Sequence, residues 1–200
     1  MIKTYNEKRD FSKTKEPKEE GSGKRNDQPV FVIQKHDATN LHYDFRLEIN
    51  STLKSWSVPK GPSTDPSVKR MAIPTEDHPL AYAHFEGTIP EGEYGGGTVM
   101  IWDNGTIKSI KKDDNGKLLS LEESFEKGSI EVELKGEKLT GGYNLVEMKG
   151  GRMKGNWLLM KQDDKEADAR RNPVSTQTKS VVSGRSLTEI EEAEKTNNKK

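Results

Sequence analysis

Residues 36–46 read HDATNLHYDFR and open onto the run Leu41–Ile49, LHYDFRLEI. Side chains of a β-strand alternate between its two faces, so a strand over this run sorts its residues cleanly. Leu41, Tyr43, Phe45, Leu47 and Ile49 point one way and form an apolar face fit for a core. His42, Asp44, Arg46 and Glu48 point the other way, in a row. The chain has four histidines, and this short stretch holds His36 and His42. A face with so many ionisable groups is built for chemistry.

Outward from this strand, the chain continues as short β-rich runs with turn punctuation. VFVIQKH (30–36) precedes it across the loop DATN, and TLKSWSV (52–58) follows. Pro59, Pro62 and Pro66 then fix a loop. The segment 76–97, EDHPLAYAHFEGTIPEGEYGGG, is long and irregular, and loops of that kind in a compact domain usually carry function. TVMIWDNGTIKSI (98–110) reads as a hairpin with Asn104-Gly105 at its turn. A short helix is expected over Leu119–Glu126, and SIEVEL, KLTGGYNLVEM and NWLLMKQ complete an antiparallel meander. No βαβ rhythm is present, which predicts a mainly β single domain, a β-barrel of roughly eight antiparallel strands or else a strongly curved sheet, with a few short helices and flexible termini.

Composition divides the chain into three parts. Residues 1–28, rich in Lys, Glu, Gly and Ser, predict a mobile arm. Residues 29–162 hold the barrel. Residues 163–200 form a polar tail, in which Ser186 and Glu189 have the spacing of a capping box before a short helix. Charged residues make up 33% of the chain and hydrophobic ones 30%, with a mean hydropathy of −0.96. Lys plus Arg equals Asp plus Glu at 33 each, so no global basic field marks a protein that coats DNA non-specifically. There is no cysteine, which excludes disulfides, thiolate nucleophiles and Cys-ligated zinc. The N-terminus carries no apolar targeting region and no segment approaches a membrane span, so a cytoplasmic protein without a membrane partner is expected.

On the polar face, His42 and Asp44 lie about 7 Å apart as i and i+2 residues, close enough to share one metal ion. His36 can fold back across the loop as a third ligand. Two imidazoles and a carboxylate suit Mn, Fe or Zn and leave positions open for water and substrate. Arg46, next on the same face, is fit to clamp phosphate with its planar guanidinium. His78 is a further polar candidate. The bland alternative is a hydrogen-bonded surface pair; against it stands the cost of burying such a row inside a barrel with nothing bound. Glu48 is expected to face solvent. EGEYGGG (91–97) lacks the Lys-Ser/Thr ending and strand-to-helix setting of a phosphate loop, and is better read as a bulged turn.

The runs HDATNLHYDFRLE, SWSVPKGPS, KRMAIPTEDHPLAYAHFEGTIPEGEYGGGTVMIWDNGT and NWLLMKQ, in this order, resemble the 3′-phosphoesterase domain of bacterial DNA ligase D. The resemblance extends from about Lys8 to Lys161, and SVVSGRSLTEI looks like the linker that follows that domain. It implies a free-standing, monomeric, manganese-dependent enzyme of non-homologous end joining, with Co²⁺ or Zn²⁺ as other ions for the same site. Such an enzyme removes a 3′-terminal ribonucleoside from DNA to leave a 3′-phosphate, then hydrolyses the phosphate to a 3′-hydroxyl. The implied metal ligands are His36, His42 and Asp44, and the phosphate-binding pair is Arg46 and His78. Gln34, Lys60, Glu76 and Tyr82 fall on positions in or around the family's site. Arg9, Asp10 and Glu16 match arm residues that serve the diesterase step. The implied partners are a primer-template with a 3′-ribonucleotide or 3′-phosphate end, and a separate ligase, polymerase and Ku-like protein acting in trans. Two alternatives stay open: a non-catalytic nucleic-acid-binding repair scaffold, and a phosphoesterase of RNA ends, since phosphate recognition carries no base information.

Overall fold

Eight antiparallel strands close into a barrel in the computed structural model, which describes residues 2–18 and 28–197. The strands are β1 (Val30–Asp37), β2 (Leu41–Ile49), β3 (Thr52–Val58), β4 (Lys69–Pro74), the short β5 (His78–Pro79) and β6 (Gly87–Ile89), β7 (Gly97–Ser109), β8 (Ser129–Gly136), β9 (Thr140–Glu147) and β10 (Trp157–Lys161). The wall runs β1-β2-β3-β4-β10-β9-β8-β7 and closes where β7 pairs with β1; β5 pairs with β3, and β6 with β7. All eight wall strands send side chains into one buried cluster, which contains Tyr43, Phe45, Leu47 and Ile49 from β2. Leu41 departs from the expected apolar face: it lies at the open end of β2 and is 47% exposed.

The polar face of β2 lies on the outside of the wall rather than in the interior, and it too is buried. Asp44, Arg46 and Glu48 are all covered. Glu48, expected in solvent, accepts a hydrogen bond from the Val30 amide at 3.0 Å. A second apolar cluster forms this cover. It joins Tyr5 of α1 (Ile2–Glu7), Val32, Leu53, Tyr82, Phe85, Ile89, Val99 and Ile101. Composition reads the arm as unpacked, but composition averages away Tyr5, which is fully buried and donates its hydroxyl to the Pro17 carbonyl at 2.8 Å. Residues 19–27 of the arm lie outside the described residues.

The expected hairpin at Asn104-Gly105 is not a turn. β7 runs unbroken through both residues, and its register against β1 shifts between Ile33 and Gln34. Gln34 faces Ile101 whereas Ile33 faces Asp103, so β7 carries an extra residue there. Such a bulge reverses the alternation: Met100 and Trp102 point inward before it, Ile107 after it. Asp103, buried at the bulge, accepts backbone N–H groups of Glu137, Lys138 and Leu139 at 2.9–3.0 Å and so caps the β8–β9 turn. Gly105 is required by close approach, because a Cβ there would stand 2.0 Å from the Lys135 carbonyl oxygen. Gly105→Ala is expected to lower stability by about 1–3 kcal/mol through that overlap. Thermal unfolding checks it, and an unchanged Tm would mean that β8 yields without strain.

Past the barrel, α2 (Leu121–Glu126), entered through a capping box on Ser120 and Glu123, lays Phe125 on Trp157 with ring centroids 5.7 Å apart. The tail docks as well. It contains α3 (Pro173–Thr176) and α4 (Leu187–Asn197), and Ile190 of α4 joins the main cluster. The Trp102 indole donates to the Gln177 carbonyl at 2.7 Å, and Lys15 of the arm pairs with Glu194 of α4.

Candidate active site

The antiparallel register of β1 and β2 sets His36 directly opposite His42, and Asp44 follows two residues along on the same face. The third ligand is thus supplied by strand pairing. His36 Nδ1 lies 3.6 Å and His42 Nε2 3.7 Å from the two oxygens of Asp44. One potential ligand atom from each residue falls within 4.8 Å of the others, a spread a single divalent ion can draw together. Two details fit a metal. His42 Nδ1 is 2.8 Å from the Asn40 carbonyl oxygen, which can only accept, so the hydrogen sits on Nδ1 and Nε2 presents its lone pair to the cluster. His36 Nε2 is buried with no hydrogen-bond partner among the described residues, and such an atom is costly unless something binds it.

Arg46 is the hub beside this cluster. Its Nε donates to Gln34 Oε1 at 2.8 Å and its Nη2 to Asp44 Oδ2 at 3.0 Å. Nη1 donates to Ser55 Oγ at 2.8 Å and lies 3.0 Å from His78 Nδ1. One Nη2 hydrogen is left for a ligand. The guanidinium also lies over the Tyr82 ring at 5.0 Å. Burial alone would raise the Asp44 carboxyl, but the Arg46 charge and the two histidines outweigh it and hold it well below the usual carboxylate range. His78 moves down as well: burial, then the positive charges of Arg46 and Arg9, keep its imidazole neutral. Burial and the nearby Glu16 push the Tyr82 phenol up, so it keeps its proton.

The arm completes the site. Arg9 donates to Glu16 at 2.8 Å and to Glu76 at 2.6 Å, and its Nη2 lies 3.5 Å from His78 Nε2. Its guanidinium rests on the Tyr5 ring at 3.7 Å. A cavity of about 180 Å³ is lined by Arg9, His36, His42, Asp44, Arg46, Glu76, His78 and Tyr82, together with Tyr94 and Gly95. Gln34 and Glu16 stand behind it, bracing Arg46 and Arg9. Asp10 and Lys60 are not brought in. Asp10 turns its carboxylate to Ser12 and Lys13, and Lys60 is exposed away from the lining. Sequence reasoning passed over Ser55, Tyr5 and Tyr94. Ser55 had a signal, since its register opposite Arg46 follows from pairing TLKSWSV with β2.

The sequence profile of the DNA Ligase D 3′-phosphoesterase domain matches residues 34–147. The chain belongs to that family. The multifunctional non-homologous end joining protein LigD of Pseudomonas aeruginosa is 45% identical over 188 residues, covering 92% of this chain and 21% of that protein. The LigD repair protein of Mycobacterium tuberculosis is 44% identical over 161 residues, 80% of this chain and 20% of its own. That of Mycolicibacterium smegmatis is 41% identical over 165 residues, 82% and 21%. The chain therefore spans about a fifth of the length of the curated relatives it matches. The span matched to the 3′-phosphoesterase domain takes in the histidine-aspartate cluster, Arg46, His78 and Tyr94. Arg9 and Glu16 precede it, so geometry ties them to the pocket of this 3′-phosphoesterase domain.

Proposed function

We propose that this chain is a divalent-metal-dependent phosphoesterase that heals DNA 3′ ends, with Mn²⁺ as its ion. It removes a 3′-terminal ribonucleoside to leave a 3′-phosphate, then hydrolyses that phosphate to a hydroxyl, beside a ligase, polymerase and Ku-like protein acting in trans. One observation carries this reading. A cluster with metal-ligand geometry and the Arg46–His78 pair share one small pocket, in a chain of this family. An intact pocket also speaks against a role in binding alone.

An ion held by His36, His42 and Asp44 supplies Lewis acidity and neutralises charge on the phosphoryl oxygens. Arg46 holds Asp44 in place and turns its remaining N–H toward the phosphate. The hydrogen of neutral His78 sits on Nδ1, 2.9 Å from the Glu76 carbonyl oxygen, which can only accept; Nε2 turns its lone pair toward Arg9, and the imidazole helps hold Arg9 beside the phosphate. In the first step water attacks phosphorus and the P–O5′ bond breaks. The phosphate stays on the DNA and the nucleoside leaves with a protonated O5′. In the second step water replaces the DNA 3′-oxygen in the same way. Arg9, braced by Glu16, serves chiefly the first step, where a leaving nucleoside must be positioned.

The test is a primer-template ending in one 3′-ribonucleotide, and a second ending in 3′-phosphate, each incubated with Mn²⁺ and resolved at nucleotide level. The expected course is a 3′-phosphate that rises and then gives way to 3′-hydroxyl, with Arg9→Met slowing the ribonucleotide end more than the phosphate end. Intact substrate throughout would overturn the proposal. Equal slowing would return Arg9 to a role in folding or general affinity.

A further inference from the structure

The 180 Å³ pocket is smaller than the about 300–1,000 Å³ of ordinary small-molecule sites. It takes a phosphate, so the leaving nucleoside must lie beyond its rim. A second cavity of about 510 Å³ adjoins it, sharing Ala38 and Gly95. This cavity lies between the β1–β2 loop (37–39) and the glycine-rich loop 91–97. Tyr94 belongs to that second loop, lines the phosphate pocket and is 49% exposed.

Local structure presents this ring rather than burying it. Two successive turns flank it, with Glu93 N–H donating to Pro90 O at 3.2 Å and Gly96 N–H to Glu93 O at 3.0 Å. Gly95, at φ +78°, allows the second turn directly after the tyrosine. Lys8 lies over the ring at 4.4 Å and reaches the hydroxyl at 3.3 Å, and the Arg9 guanidinium lies over it at 5.5 Å. An exposed aromatic ring on a rigid loop is an inexpensive surface for stacking a base. Asp37 and Glu91 on the cavity walls, beside a Glu93 paired with Lys13 at 3.2 Å, disfavour a second phosphate and leave an uncharged nucleoside as the fitting occupant.

We propose that the leaving ribonucleoside sits where the two cavities meet at Ala38 and Gly95, its base stacked on Tyr94 at the rim of the phosphate pocket and its sugar toward loops 37–39 and 91–97. The proposal deepens the phosphoesterase reading above and rests on it. The subsite's acidic walls fit one terminal nucleoside and turn away a further phosphate.

The test uses the full chain with Mn²⁺ and three primer-templates: a base-bearing 3′-ribonucleotide end, the same end with an abasic ribose, and a 3′-phosphate end. Tyr94→Ala is expected to lose about 5- to 150-fold in kcat/KM on the base-bearing end, the range for one base-aromatic stack. The loss should shrink several-fold or more on the abasic end. Tyr94→Phe and Tyr94→Trp should hold near the wild-type rate, because each keeps a ring. Lys8→Met controls for the arm contact and should not copy the base-dependent loss. Equal losses on base-bearing and abasic ends, or no loss, would overturn the subsite while the phosphoesterase reading stands. A wild-type chain inert on every end would overturn both.

Discussion

Asp44→Asn is expected to abolish metal binding and to lower turnover by more than about a hundredfold, since even residues that merely orient a metal ligand cost 10–100-fold when lost. Asp44 touches both histidines and Arg46 at once. The amide keeps an oxygen for Arg46 but removes the only carboxylate of the cluster. The readout that separates metal from fold is thermal stability with and without Mn²⁺. An ion that binds only the native state adds about 2.7 kcal/mol at a hundred times its Kd, so the wild-type Tm should rise with Mn²⁺. In Asp44→Asn that rise should vanish. The metal-free variant should also be weaker by up to about 3–5 kcal/mol, the cost of a buried cation whose partner is lost. An undiminished Mn²⁺-dependent rise would remove Asp44 from the ligand set.

Arg46→Lys should be nearly as severe, with about a 10²–10³-fold loss of turnover. A lysine keeps the charge but has three donors on a point and no planar fork. It cannot reach Gln34, Ser55, His78 and Asp44 together, as the guanidinium does. A phosphate clamp alone would leave Mn²⁺ affinity untouched. The bond from Nη2 to Asp44 argues otherwise, and affinity should fall about 10–100-fold, as for a residue that orients a ligand. Calorimetry with Mn²⁺ decides: wild-type affinity would confine Arg46 to the phosphate, and wild-type turnover would remove it from the chemistry.

Much of the site could be read from a single strand. Alternation along LHYDFRLEI puts Tyr43, Phe45, Leu47 and Ile49 in the barrel and the ionisable row on the other side, and pairing with β1 brings in His36. Three kinds of feature were out of reach. Asn104-Gly105 has the local chemistry of a turn, but the constraint on Gly105 comes from the Lys135 backbone across the sheet. Arg9 and Glu16 sit in a stretch that composition reads as solvated. Their burial depends on Tyr5 meeting Tyr82 and His78, residues far away in sequence. Tyr94 is the third. EGEYGGG reads as backbone punctuation leading into a strand, and nothing local marks the ring within it as a surface.

The docked ends have a consequence for how the molecule meets its own copies. Closing β7 onto β1 leaves β5 and β6 as the outlying strands of the sheet, of two and three residues. Helix α1 packs against β5, and α4 against β6. An unpaired strand edge invites another chain to add a strand, the first step toward aggregation, and open sheets blunt it with charge, proline or a bulge. Here the two polar, unassuming ends of the chain take that duty, each covering one margin that the barrel could not close.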